Sequence, residues 1–309
     1  MEIIHPHTAI LQSRRDRLLQ ETMRPPQPVF EIAAEYPIVL SPQNPHFSYC
    51  AVHGDDIKAH ANLWPRRLFD QQQQKYFQVG LIGNVATDPR WQGHGIMKEL
   101  FMRLHQEALK LGLDAMILWS DLRQFYQKLG FGSLGQELRI VFERESLNKL
   151  FKKQNTGQFL PHPPAELTPQ SYDALLKLRY PTVATLERSI DEFKSLMKIP
   201  ETHLYMQGEP PSAFAIIGKG YDMIGVVHEW GASAPDILMK GIRDVAEDQK
   251  FDDVILLCPN NLAPEWLAEF KKVAKDVQKH DMALACPLRE DQKLKHALAA
   301  CFIWGLDSI

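Results

Sequence analysis

The chain is 309 residues long, 45% hydrophobic and 24% charged, which describes a folded globular protein with length enough for two domains that each bury a core. Its formal net charge of -3 gives no electrostatic basis for binding nucleic acid or an anionic membrane, so neither is an expected partner. Four scattered cysteines, Cys50, Cys258, Cys286 and Cys301, include no CxxC pair and read as small buried hydrophobes in a reducing compartment, with no disulfide framework and no zinc site.

In chain order, residues 8–21 have helical spacing (Ile10, Leu11, Leu18, Leu19), with Arg14, Arg15 and Arg17 read as a solvated basic face. Met23-Arg24-Pro25-Pro26-Gln27-Pro28 breaks regular structure. Residues 31–40 are ambiguous, and Tyr36-Pro37-Ile38-Val39-Leu40 is a segment that can enter a substrate region. Two short apolar runs, 47–52 and 57–63, flank His53-Gly54-Asp55-Asp56, which is a hairpin signal. With a buried strand at 76–87 (Phe77, Val79, Leu81, Ile82, Val85) they make an antiparallel meander.

That strand runs through a tight turn containing Gly93 and Gly95 into an amphipathic helix carrying Ile96, Met97, Leu100, Phe101, Leu104, Ala108 and Leu111, which Gly112 is placed to end. A helix N-terminus leaves backbone N–H groups unpaired and carries positive dipole potential, so the geometry suits phosphate; the plainer reading is an ordinary strand-to-helix turn. The turn is neither GxxxxGK[ST] nor GxGxxG, since Lys98 stands where the latter needs glycine. Gln92-Gly93-His94-Gly95-Ile96-Met97 instead resembles the acetyl-coenzyme A loop of the GNAT N-acetyltransferase superfamily, Gln/Arg-x-x-Gly-x-Gly/Ala, with Met97 departing at the last position. After a short strand at 115–119, Phe125-Tyr126-Gln127-Lys128-Leu129-Gly130-Phe131 is similar to the second signature of that family at the usual distance. Trp119 stands where the family often has asparagine seven residues before the tyrosine.

The resemblance implies an α/β, mixed-sheet GNAT acyl-CoA N-acyltransferase fold, with acetyl-CoA as acyl donor. It places Val85, Ala86 and Thr87 beside pantetheine, in a gap where the strand splays from its neighbour. Gln92, Gly93, His94, Gly95, Ile96 and Met97 would hold the pyrophosphate, and Tyr126 would donate a proton to the departing thiolate. Oxyanion stabilisation would fall to a backbone N–H near Ala86 or Thr87. Many relatives carry a glutamate base on the strand before the loop, but residues 76–87 contain no acid. His53, His60 and Asp121 are candidates for the base, each with a structural role as the favoured reading.

From residue 144 to 171 the composition shifts, through Lys149, Lys152 and Lys153 to Gly157, Pro161, Pro163 and Pro164, which reads as a linker. The expected domains are a catalytic unit at 1–145, a linker at 146–165 and a second unit at 166–309. Helices at 171–179 and 186–197, strands at 203–206, 213–217 and 223–230, a helix at 235–248, a strand at 253–258 and a helix at 263–277 repeat the order of the first half. The layout resembles a second, degenerate GNAT copy, because the turn Gly231-Ala232-Ser233-Ala234-Pro235 lacks the loop motif. His228-Glu229 is not HExxH, and no metal is expected; an arginine partner is the favoured reading for Glu229, and a turn role for Lys219. The apolar end, Ala299 to Ile309, reads as docked. Tandem relatives that bring the C-terminus to the active site make the terminal carboxylate of Ile309 a candidate base.

The expected function is direct transfer of an acetyl group to an amine of a small molecule or peptide, no cysteine being placed in the two motifs for a thiol route. A non-catalytic acyl-CoA sensor or scaffold is the alternative. Residues 1–10 lack the layout of a signal peptide and no apolar run reaches membrane-spanning length, so a cytoplasmic location is expected, and a homo-oligomer is compatible with the sequence.

Overall fold

A computed structural model describes residues 1–151 and 158–309; Lys152, Lys153 and Gly157 of the expected linker lie outside the described residues. Strand β1 (Glu2–Ile4) pairs antiparallel with β2 (Ser48–His53), which turns at Gly54 (φ +58°) into β3 (Asp56–Asp70) and returns as β4 (Lys75–Thr87). β3 outruns its expected end because its buried alternate positions beyond residue 65 are Arg66, Leu68 and Asp70, so charged side chains carry part of the two-residue period.

Helix α1 (Ala9–Met23) starts at Thr8, whose hydroxyl accepts the Leu11 N–H. Its outer face differs from expectation at Arg15, which is 1% exposed. Leu11, Arg15 and Leu19 are four residues apart and share one face, and the guanidinium there donates to Asp16 Oδ1 (2.8 Å), Ser48 Oγ (3.1 Å) and Leu40 O (2.7 Å). The ambiguous segment after it contains one helical turn, α2 (Ile32–Glu35). Helix α3 (Ile96–Lys110) buries Ile96, Leu100, Phe101, Leu104 and Ala108 in one cluster with β2–β4 residues, roughly 2 kcal/mol for each large side chain. Strand β5 (Ala115–Leu118), α4 (Arg123–Gln127) and β6 (Gly132–Glu143) follow.

The second half contributes β7 (Leu160–Pro161), β8 (Ala184–Leu186), β9 (His203–Gln207), β10 (Ala213–Ile217), β11 (Val226–Ala232), β12 (Asp253–Pro259) and β13 (Asp276–Pro287). Helices Pro235–Gln249 and Pro264–Lys271 flank β12. The helix expected to reach residue 277 ends at Lys271, and β13 takes over from Asp276. The run β9, β10, β11, helix, β12, helix, β13 repeats the run β2, β3, β4, α3, β5, α4, β6, and in both the third and fourth strands pair parallel.

All these strands belong to one 13-stranded sheet, ordered β1-β2-β3-β4-β5-β13-β6-β12-β11-β10-β9-β7, with β8 on β3. The closing strands are exchanged between the halves. β13 pairs antiparallel with β5, β6 pairs antiparallel with β12, and β6 and β13 pair with each other at the centre. The sheet therefore does not divide at residues 146–165. The largest core cluster draws on both halves, from Leu68, Phe77 and Phe142 to Trp230, Phe270 and Trp304. Among the described residues no helix is long and apolar enough to cross a membrane.

Candidate active site

The site begins where β4 and β5 part. Their pairing covers Val79 to Ile82 on β4 and Ala115 to Leu118 on β5, while β4 runs on to Thr87, leaving its last residues without β5 as a neighbour. On the other side β3 still pairs with β4, but the register shifts, so that Asn84 and Val85 together oppose Ala61. Asn84 takes φ +50°, a region asparagine tolerates better than other side-chain-bearing residues. Its carbonyl binds His60 Nδ1 (2.8 Å) and its side-chain Nδ2 donates to Asn62 Oδ1 (2.9 Å). Asn62 in turn donates to Phe47 O and Ser48 Oγ, both at 3.1 Å. A buried polar network thus holds the bulge that opens the gap.

After Thr87 the chain makes a 3-10 turn, Pro89–Trp91, whose cap Asp88 accepts Arg90 N–H (3.0 Å) and pairs with the Arg90 guanidinium at 2.8 Å. That hydrogen bond to Arg90 holds the Asp88 carboxyl below its ordinary range. Gly93 (φ +79°) and Gly95 (φ +78°) supply the left-handed conformations that carry the chain into α3. Gly95 caps the helix without a side chain, and the first helical bond is Glu99 N–H to Gly95 O at 3.1 Å. The amides of Ile96, Met97 and Lys98 precede it and are not used by the helix ladder. Gln92, Gly93, His94 and Gly95 are exposed there, and Trp91 beside them carries Lys58 over its ring at 5.5 Å and His53 at 4.9 Å between centroids.

A cavity of about 390 Å³ opens beside the gap. Its lining joins Gly83, Asn84, Val85, Trp119, Ser120 and Tyr126 to Glu35, Tyr36, Lys219, Asp222, Ser308 and Ile309. Tyr126 is 4% exposed, packed edge-on against Phe101 (5.5 Å) and Phe131 (5.9 Å). Burial raises its hydroxyl above the ordinary tyrosine value and the Ser120 side chain partly opposes this, so the group holds its proton at neutral pH. Among the lining residues, Glu35 accepts two hydrogen bonds from Arg24 (2.6 and 3.0 Å), and Asp222 accepts from Arg24 at 3.1 Å and, through Oδ2, from Tyr36 OH at 3.0 Å. Lys219 is buried, and desolvation pushes its ammonium down to about 7 against the pull of Asp307 and Asp222.

Of the residues singled out in the sequence, Tyr36, Val85, Trp119, Tyr126, Lys219 and Ile309 line this cavity. Ala86 and Thr87 continue β4 past it, and Gln92 to Met97 lie at the start of α3. Three of the four candidate bases are elsewhere, while the fourth, Ile309, is a lining residue of the cavity. His53 is exposed with its ring tilted against Trp91, and Asp121 is exposed before α4. His60 is wholly buried beneath the bulge, where desolvation lowers its pKa to about 3. Glu229 is held by Arg188 (2.6 Å) and Arg179 (3.4 Å), as its favoured reading had it, in a buried network where Asp307 meets Arg66 at 3.3 Å. His228 is buried with Nε2 on Gly218 O at 2.8 Å. Glu35 and Asp222 were not anticipated. They come from segments 187 residues apart, and no local pattern links them.

Residues 17–134 match the family model of the acetyltransferase (GNAT) domain. No curated protein matches the sequence. Solved structures similar to this one include a GCN5-related N-acetyltransferase from Kribbella flavida (TM-score 0.63, 14% identity, covering 93% of this chain and 72% of that one). Another, from Anabaena variabilis, has TM-score 0.65 and 12% identity over 93% and 73% of the two chains. Eis1 from Mycobacterium abscessus has TM-score 0.59 and 13% identity over 93% and 74%. Residues 17–134 thus match the GNAT acetyltransferase domain, and the chain that carries them is built on the GNAT N-acetyltransferase fold.

Proposed function

We propose that the protein is an N-acetyltransferase that moves the acetyl group of acetyl-CoA directly to an amine, with Tyr126 as the general acid. The match of residues 17–134 to the GNAT acetyltransferase domain supports acyl transfer as the chemistry. The observation that carries the finer reading is the meeting of two features in one cavity, the end of β4 that β5 leaves unpaired and the protonated hydroxyl of Tyr126.

In this reading the backbone of Val85, Ala86 and Thr87 pairs with the pantetheine amides, as an added strand would. The diphosphate rests on the free amides at the start of α3. An amine entering beside Glu35 and Asp222 attacks the thioester carbonyl, the carbon–sulfur bond breaks, and Tyr126 protonates the sulfur. The attacking amine must lose a proton. Glu35 and Asp222 are both engaged by Arg24, and His60 is bonded to Asn84, so in this reading a water molecule in the cavity takes that proton and passes it to solvent. The size of the cavity suits a small amine or the side chain of a peptide.

The test is steady-state kinetics of Tyr126→Phe with acetyl-CoA and an amine panel. kcat should fall by roughly 10- to 100-fold while the apparent KM for acetyl-CoA stays within about twofold. An unchanged kcat removes Tyr126 from the chemistry. A wild-type protein that binds acetyl-CoA and acetylates no amine would instead be the acyl-CoA sensor.

A further inference from the structure

The loop between β10 and β11 belongs to the second half of the chain, yet it reaches the cavity of the first, where Lys219 and Asp222 are lining residues. Lys219 is 8% exposed, and its ammonium has three oxygen partners on the closing segment of the chain: Gly305 O at 2.8 Å, Ser308 Oγ at 3.0 Å and the Ser308 carbonyl. Three donors meet three acceptors. The start of the same segment is fixed separately, because Asp307 is fully buried against Arg66 at 3.3 Å. Beyond Ser308, Ile309 lies against Gly83 on β4. A Cβ on Gly83 would stand 2.6 Å from the Ile309 carbonyl carbon and 2.8 Å from its Cγ1, so only glycine permits the approach. The loop is itself tied down, by Gly220 N–H to Pro200 O and Tyr221 N–H to Glu35 Oε2, both at 2.7 Å.

We propose that Lys219 is a positioning residue: it latches the closing segment so that Ile309 stays against Gly83 in the lining of the cavity, next to the reacting groups. The second half of the chain thereby completes the site of the first. The catalytic part of this inference rests on the acyl-transfer reading above; the latch itself does not.

Hydrogen exchange read by mass spectrometry tests it in the full chain with Lys219→Met, which keeps the length of the side chain and removes its donors. Exchange in a peptide covering residues 301–309 should speed up at least about tenfold, with peptides from β4 and α3 unchanged. The affinity for acetyl-CoA should hold within about twofold, while kcat for an amine falls about tenfold or more. Unchanged protection of 301–309 overturns the latch, and a loosened segment with unchanged kcat overturns the positioning role. Should Lys219→Met fail to fold, Ser308→Ala decides the latch, since it removes one of the three acceptors. Exchange about threefold faster and confined to 301–309 supports it, and no change overturns it. A wild-type protein without turnover overturns the positioning role together with the acyl-transfer reading, and the exchange result still decides the latch.

Discussion

Two histidines, His60 and His228, are wholly buried, each with one ring nitrogen on a backbone oxygen and the other without a partner. Desolvation lowers both to about 3, from an ordinary value of 6.5. Both are therefore neutral in the folded protein, while the unfolded chain takes up protons below pH 6.5. Stability contributed by the pair is present above that pH and falls as pH drops toward 3. At pH 5 the loss is about 2 kcal/mol for each. Urea unfolding should show the protein about 4 kcal/mol less stable at pH 5 than at pH 7, with His60→Gln losing about half of that dependence; a flat profile would contradict the assignment. His60 also shows what single residues hide in a sequence. Its burial follows from the bulge at Asn84, and nothing in 57–63 distinguishes a histidine under a bulge from one in solvent. Tyr126 was legible because its motif spans seven consecutive residues.

At the scale of elements, the strand, turn and helix around Gly93 and Gly95 were readable because apolar periodicity changes from two to about 3.6 across a glycine pair. β13 was not. Its first part, Gln278, Lys279, His280 and Asp281, is polar, and only Met282 to Cys286 forms a continuous buried run where β5 and β6 flank it. The same exchange decides what the expected catalytic unit can do alone. In a fragment of residues 1–145, β5 loses β13, and β6 loses both of its neighbours. Such a fragment should show no cooperative thermal transition by circular dichroism and rapid proteolysis, because the freed edges expose Leu134, Leu138, Ile140 and Phe142. A sharp melting transition and a protease-resistant core would contradict this.

The whole molecule is organised so that neither half is complete. β8 of the second half pairs with β3 of the first, and Arg188 and Glu229 form a buried ion pair beside Arg66 and Asp307. Buried ion pairs contribute little net stability compared with apolar packing, but losing one partner strands a charge, so the network resists separation of the halves. The loop that carries Lys219 and Asp222 extends the same principle into the cavity. The pairing of β3 with β8 and the contact of Arg66 with Asp307 have no sequence signal, since each joins segments more than 100 residues apart. The repeated order of elements was legible, and the exchange of closing strands was not, because strand order depends on pairing partners that periodicity does not encode.

The central claim is that the gap between β4 and β5 and the start of α3 receive acetyl-CoA. Calorimetric titration of the wild type with acetyl-CoA tests it most directly, beside His94→Asp and with NAD as control ligand. His94 is exposed between two glycines that must keep positive φ, so the aspartate adds an anion to the loop without straining it. The account predicts saturable binding of acetyl-CoA by the wild type, affinity lower by about tenfold or more in His94→Asp, and no heat with NAD. A folded wild type that binds no acetyl-CoA, or a variant that binds it equally well, would contradict it.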